Sequence, residues 1–78
     1  MSTLTRKHFN QFAELVKNNV EIVIDNNLGE EAAVICKLTA DKLAEISRKA
    51  NPLFDTRKFY AACELDRLVE KGLIRPLF

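Results

Sequence analysis

The chain has 78 residues, 47% of them hydrophobic and 29% charged, with only two glycines, two prolines and a formal net charge of +1. That length makes a single domain over 1–78, and a core this small needs close packing or help from a partner. The near-neutral charge excludes a broad electrostatic attraction to nucleic acid or to a membrane surface.

The charge is divided slightly unevenly. Residues 1–39 carry four Lys/Arg against five Asp/Glu, and residues 40–78 carry eight against six. An excess of two is too small to act as a DNA footprint. No apolar run approaches the roughly 20 residues that span a bilayer, which predicts no membrane association. Met1–Arg6 has no apolar segment behind it, so no signal peptide is expected. Cys36 and Cys63 are isolated, which predicts two buried, inert thiols in a cytoplasmic protein rather than a disulfide framework.

The first helix is expected over 5–25. Thr5 is a candidate N-cap, with Leu4 and Phe9 placed to form a hydrophobic staple. Arg6 and Lys7 carry the wrong sign for the positive end of the helix dipole. Phe9, Phe12, Ala13, Val16, Val20 and Val23 recur at helical spacing, and Leu15 and Ile22 widen that stripe on one side. Ile22-Val23-Ile24 taken alone reads as strand, but the unbroken stripe before it extends the helix to Asp25. Asn26-Asn27-Leu28-Gly29 tolerates left-handed backbone and stops it.

The second helix is expected over 30–50. Glu30 and Glu31 open it with the sign the dipole prefers. Ala32, Ile35, Cys36, Thr39, Leu43, Ile46 and Ala50 make the predicted buried stripe, and Glu45 with Lys49 forms an i,i+4 pair. Thr39 is the soft point, placed either mid-helix or as the cap of a shorter helix; one continuous helix is expected. Asn51-Pro52 ends it, because proline disfavours α conformation in the residue before it.

The third helix is expected over 55–71, with Asp55 as N-cap and Phe54 and Phe59 as its staple. Gly72 suits the position after the last turn, with Leu68 and Leu73 in contact across the ending. Tyr60, Glu64, Arg67 and Lys71 line its predicted polar face. Ala61, Ala62, Leu65, Leu68 and Val69 make the opposite, apolar one. Phe59 and Cys63 fall on the polar flank, where a surface helix is normally hydrophilic. The helix is therefore either central in the bundle or buries that flank against another chain. Leu73-Ile74-Arg75-Pro76-Leu77-Phe78 is a short, mostly apolar C-terminal tail.

Patterns that carry chemistry are missing. One histidine and two cysteines at spacings of 28 and 27 do not make a zinc pattern. Two isolated glycines make no phosphate loop, and Ser2 and Ser47 lack a His/acid arrangement. No enzyme activity, cofactor or metal is expected. Tyr60 is expected to be exposed, and with Arg67, Lys71 and Phe78 it forms the candidate partner-binding set, since Tyr and Arg are enriched at interface hot spots.

Two resemblances add to this reading. Thr5-Arg6-Lys7-His8-Phe9 and the stretch from Asn51 to Cys63 resemble small helical proteins encoded by bacteriophages and prophages, with a TRKHF-like opening and an NP-x-FD-x-x-(R/K)F-x-x-AC stretch. The resemblance covers about a quarter of the chain and implies a phage context without a particular activity. Small phage accessory proteins often bind a host protein and redirect or inhibit it, which is the expectation the resemblance brings. Separately, Leu65 to Arg75 resembles a recognition helix running into the wing of a winged helix-turn-helix, with Leu38 to Glu45 as the preceding helix. Against that, the corner from Ala50 to Asp55 is longer than the usual turn, and Glu64, Asp66 and Glu70 would repel phosphate.

The expectation is thus an all-α, three-helix bundle that binds a host or phage protein in the host cytoplasm without catalysis. A homodimer through the third helix is one such arrangement. A small DNA-binding regulator is the alternative.

Overall fold

The computed structural model describes residues 5–77. Four helices follow one another: α1 (Arg6–Asp25), α2 (Glu30–Ala50), α3 (Thr56–Cys63) and α4 (Asp66–Glu70). No strand occurs among the described residues.

The two long helices fall where their patterning predicts. The Thr5 backbone N–H donates to His8 Nδ1 at 3.1 Å, so His8 satisfies one of the orphan donors at the start of α1. The staple expected between Leu4 and Phe9 lies outside the described residues. At the far end Asn27 takes a left-handed backbone (φ 51°), and the Leu28 N–H reaches back to the Val23 carbonyl at 3.0 Å. This six-to-one bond is the Schellman ending that lets a helix stop within a few residues. α2 runs unbroken through Thr39, whose hydroxyl donates to the Ile35 carbonyl at 2.8 Å instead of capping a new helix.

Asn51 to Phe54 then turns the chain. The Phe54 N–H bonds the Asn51 carbonyl at 2.9 Å, and the Asn51 side chain accepts from Leu53 N–H at 3.0 Å. Pro52 pre-sets the second position of this turn. Asp55 caps α3 by accepting from the Lys58 N–H at 3.1 Å. The aromatic staple is present, with the Phe54 and Phe59 ring centroids 5.4 Å apart, and Phe9 joins it edge-on to Phe54 at 5.0 Å.

The expected third helix over 55–71 is not one helix. Glu64 sits in the left-handed region (φ 60°), and the Glu64 and Leu65 amides bond back to Ala61 and Tyr60 at 3.1 and 3.4 Å. That is a second Schellman ending, on a glutamate. The cause is burial. A straight continuation would keep Leu65 and Leu68 at fixed angles to Phe59 and Cys63, whereas the break turns all four into the core. Side-chain pairs hold Glu64 in this unusual conformation: its carboxylate lies 3.3 Å from Lys17 of α1 and 3.2 Å from Arg67. The third ending of this type closes α4 at Gly72 (φ 73°), with Leu73 N–H bonded to the Leu68 carbonyl at 3.0 Å.

Two face assignments change with the fold. On α3 the buried residues are Phe59, Tyr60 and Cys63, while the expected apolar Ala61 and Ala62 are exposed. On α2 the buried stripe is Ala33, Cys36, Ala40, Ala44 and Ser47. Of the expected stripe only Cys36 is fully buried, and Ile35 and Ile46 are exposed. This stripe of small side chains shares one buried cluster with Ala13, Val16, Val20 and Val23 of α1. The four-residue loop makes the two helices antiparallel neighbours. After Gly72 no free apolar tail stands out: Leu73, Ile74 and Leu77 are half-buried against the core, and Phe78 lies outside the described residues.

Candidate interaction surface

α3 packs on both long helices, mainly on α1. Its attachment to α1 is the Phe9–Phe54–Phe59 cluster at one end and the Lys17–Glu64 ion pair at the other. Polar bonds also tie it to α2. Tyr60 donates its hydroxyl to Asp41 Oδ1, and Lys37 Nζ donates to both Asp41 oxygens at 2.8 Å while lying 5.5 Å from the Tyr60 ring centroid. Arg48 adds a 2.9 Å bond to the Thr56 hydroxyl.

Tyr60 is therefore not the exposed aromatic the sequence suggests: it is only 8% accessible. Burial first, and then the bond to Asp41, push its phenol up to about 12, so at neutral pH it is a fixed donor and no nucleophile. Cys36 and Cys63 are both free and buried. Burial alone pushes Cys63 up to about 12 and raises Cys36, which disfavours the reactive thiolate at both. Arg67 is half-buried and paired with Glu64, whereas Lys71 is exposed just past α4. The break at Glu64 separates Tyr60 from Arg67 and Lys71, so helical spacing no longer sets them on one face. Phe78, the fourth member of the set, lies outside the described residues.

The surface that does emerge is elsewhere. The contacts of Lys17 place α3 on one side of α1, and Leu15 lies about 200° around the helix from Lys17. On α2 the α3 side is marked by Lys37, Asp41 and Arg48, and Ile35, Thr39, Leu43 and Ile46 point away from it. Among the described residues the back of the α1–α2 hairpin is thus uncovered. It carries Ile35 at 64% exposure and Leu15 and Ile22 at 52% each, with Ile46 also exposed and Leu38 at 59% on the adjoining edge. Ile35, Leu38, Thr39, Lys42 and Leu43 line a shallow groove there. The signal was present in the sequence: α2 holds two apolar stripes, one of small residues and one of branched residues, and the larger stripe drew the assignment.

A second cleft, of about 400 Å³, opens where the start of α1 meets the 51–55 corner, lined by Phe9, Phe54 and Phe59 with Arg6 and Lys58 at its edge. Among the described residues no group of three His, Cys, Asp or Glu is placed to hold a metal ion. No helix among them is long and apolar enough to cross a membrane. No protein-family profile, curated protein or solved structure matches the chain.

Proposed function

We propose that this is a non-catalytic, phage-type accessory module that acts by binding another protein and so modulates it. Binding uses the bare back of the α1–α2 hairpin. One observation carries the reading: branched apolar side chains recur at helical spacing on a face that no element among the described residues covers. Contiguous exposed apolar surface of this kind marks interaction sites in small soluble domains. The phage context rests on the resemblance of the Thr5–Phe9 and Asn51–Cys63 stretches, and the host cytoplasm is its corresponding location.

The helix-turn-helix alternative draws less support. The helix that would read DNA is split at Glu64, and its second piece is five residues long. Arg67 is already paired with a carboxylate.

Affinity capture from a bacterial host lysate tests the reading with three baits: wild type, Ile35→Asp and the pair Arg67→Ala/Lys71→Ala. A protein held by wild type and the Arg/Lys pair but lost with Ile35→Asp supports it. Retention insensitive to Ile35→Asp, or duplex DNA bound at low salt and lost with the Arg/Lys pair, contradicts it.

A further inference from the structure

The charges of the two long helices are arranged along their length. Residues 18–36, which turn the hairpin, hold Glu21, Asp25, Glu30 and Glu31 and no Lys or Arg. The opposite end carries Arg6 and Lys7 on α1 and Arg48 and Lys49 on α2. On α2 this agrees with the helix dipole, with acids in the first turn and bases in the last. On α1 it opposes the dipole: the first turn has no acid, the last has no base, and Asp25 closes the helix. Within one chain that arrangement on α1 is a cost.

Among the exposed charges at the rims of the bare face, which include Glu14 and Lys42, two pairs share one spacing. Lys7 and Asp25 are 18 residues apart on α1, and Glu31 and Lys49 are 18 apart on α2. Eighteen residues make five full turns at 3.6 residues per turn. Each pair therefore lies on one line along its helix, and all four residues are exposed. By the same angular count, the Lys7–Asp25 line runs along the outer edge of α1 and the Glu31–Lys49 line along the outer edge of α2, with the apolar strip between them.

We infer that, while no other protein is bound, the occupant of this face is a second copy of the chain, stacked back to back with α1 antiparallel to its equivalent and α2 antiparallel to its own. A two-fold axis lying in the plane of the face and running across the helices sets Lys7 over Asp25 of the other copy and Lys49 over Glu31. Both apolar strips are buried, and the misplaced charges of α1 gain partners of opposite sign. The other back-to-back arrangement, with α1 over α2 of the second copy, sets Lys7 over Lys49 and Asp25 over Glu31, so like charges meet at both ends of each edge and only Glu14 over Lys42, near the middle, is a pair of opposite sign. Charge thus selects one of the two symmetric pairings.

This inference rests on the reading that the bare face binds protein, and its test separates the two. Sedimentation equilibrium of the purified chain over a concentration series should give twice the 8.9 kDa chain mass. Ile35→Asp and, independently, Leu15→Asp should return a single-chain mass with helical circular dichroism unchanged. Lys49→Glu and Glu31→Lys should each weaken association by roughly fivefold, and the two together should restore it. A single-chain mass for the wild type overturns the pairing while leaving binding of another protein to the capture test. A pair that survives both apolar substitutions, or charge changes that do not compensate, overturns it as well.

Discussion

Three buried side chains set the residue-level behaviour. Tyr60 and Cys63 are held neutral by their surroundings, with ordinary values of 10.0 and 9.0 both raised to about 12. A group whose value is raised on folding stabilises the fold fully below its unfolded value, and that contribution is lost as pH rises through the folded one. The fold should therefore be insensitive to these groups at neutral pH and lose stability from about pH 9 towards 12. Alkaline titration followed by circular dichroism reads this directly, and Tyr60→Phe should move the midpoint upward; equal midpoints for the two proteins would refute the assignment. At neutral pH Tyr60→Phe should cost about 1 kcal/mol, because Asp41 keeps Lys37 as its partner. Ser47 is the opposite case. Its hydroxyl is fully buried on α2 with no hydrogen-bond partner among the described residues. Ser47→Ala removes an unsatisfied group and improves helix propensity, so urea unfolding should show a gain of about 1 kcal/mol.

At the scale of elements, the decisive feature is the left-handed Glu64. A non-glycine residue there carries a strain of about 1 kcal/mol. Comparing Glu64→Gly with Glu64→Ala cancels the loss of the Lys17 and Arg67 pairs, which both variants share. The glycine variant should be more stable by about 1 kcal/mol; in a continuous helix the order would reverse, because glycine inside a helix costs about that much. What could be read beforehand was local: the Asp55 cap, the Phe54–Phe59 staple, the Gly72 ending and the bounds of α1 and α2 all follow from neighbouring residues. The break at Glu64 could not be read that way, since no Gly, Asn or Pro marks it. It arises because Leu65 and Leu68 are turned into a core supplied by other helices. The same holds for the candidate site. Tyr60 reads as exposed on its own helix, and only the position of Asp41 on α2 reveals why it is buried. On α2, hydrophobicity alone prefers the branched stripe, whereas the core shared with α1 takes the small one.

The molecule measures 41 × 22 × 16 Å between Cα extremes, and among the described residues α3 covers the hairpin on one side only. An 8.9 kDa chain with one layer of cover has little core to spare. Leaving Ile35, Leu15 and Ile22 bare makes sense where another surface covers them. The account therefore stands on which stripe of α2 faces inward. Urea unfolding of Ile35→Asp and Ala40→Asp, extrapolated to low protein concentration, measures this most directly. Ile35→Asp should stay within about 0.5 kcal/mol of the wild type, while Ala40→Asp, which places a charge against α1, should lose more than about 3 kcal/mol or fail to fold. A loss of several kcal/mol for Ile35→Asp at every concentration, with Ala40→Asp tolerated, would contradict it.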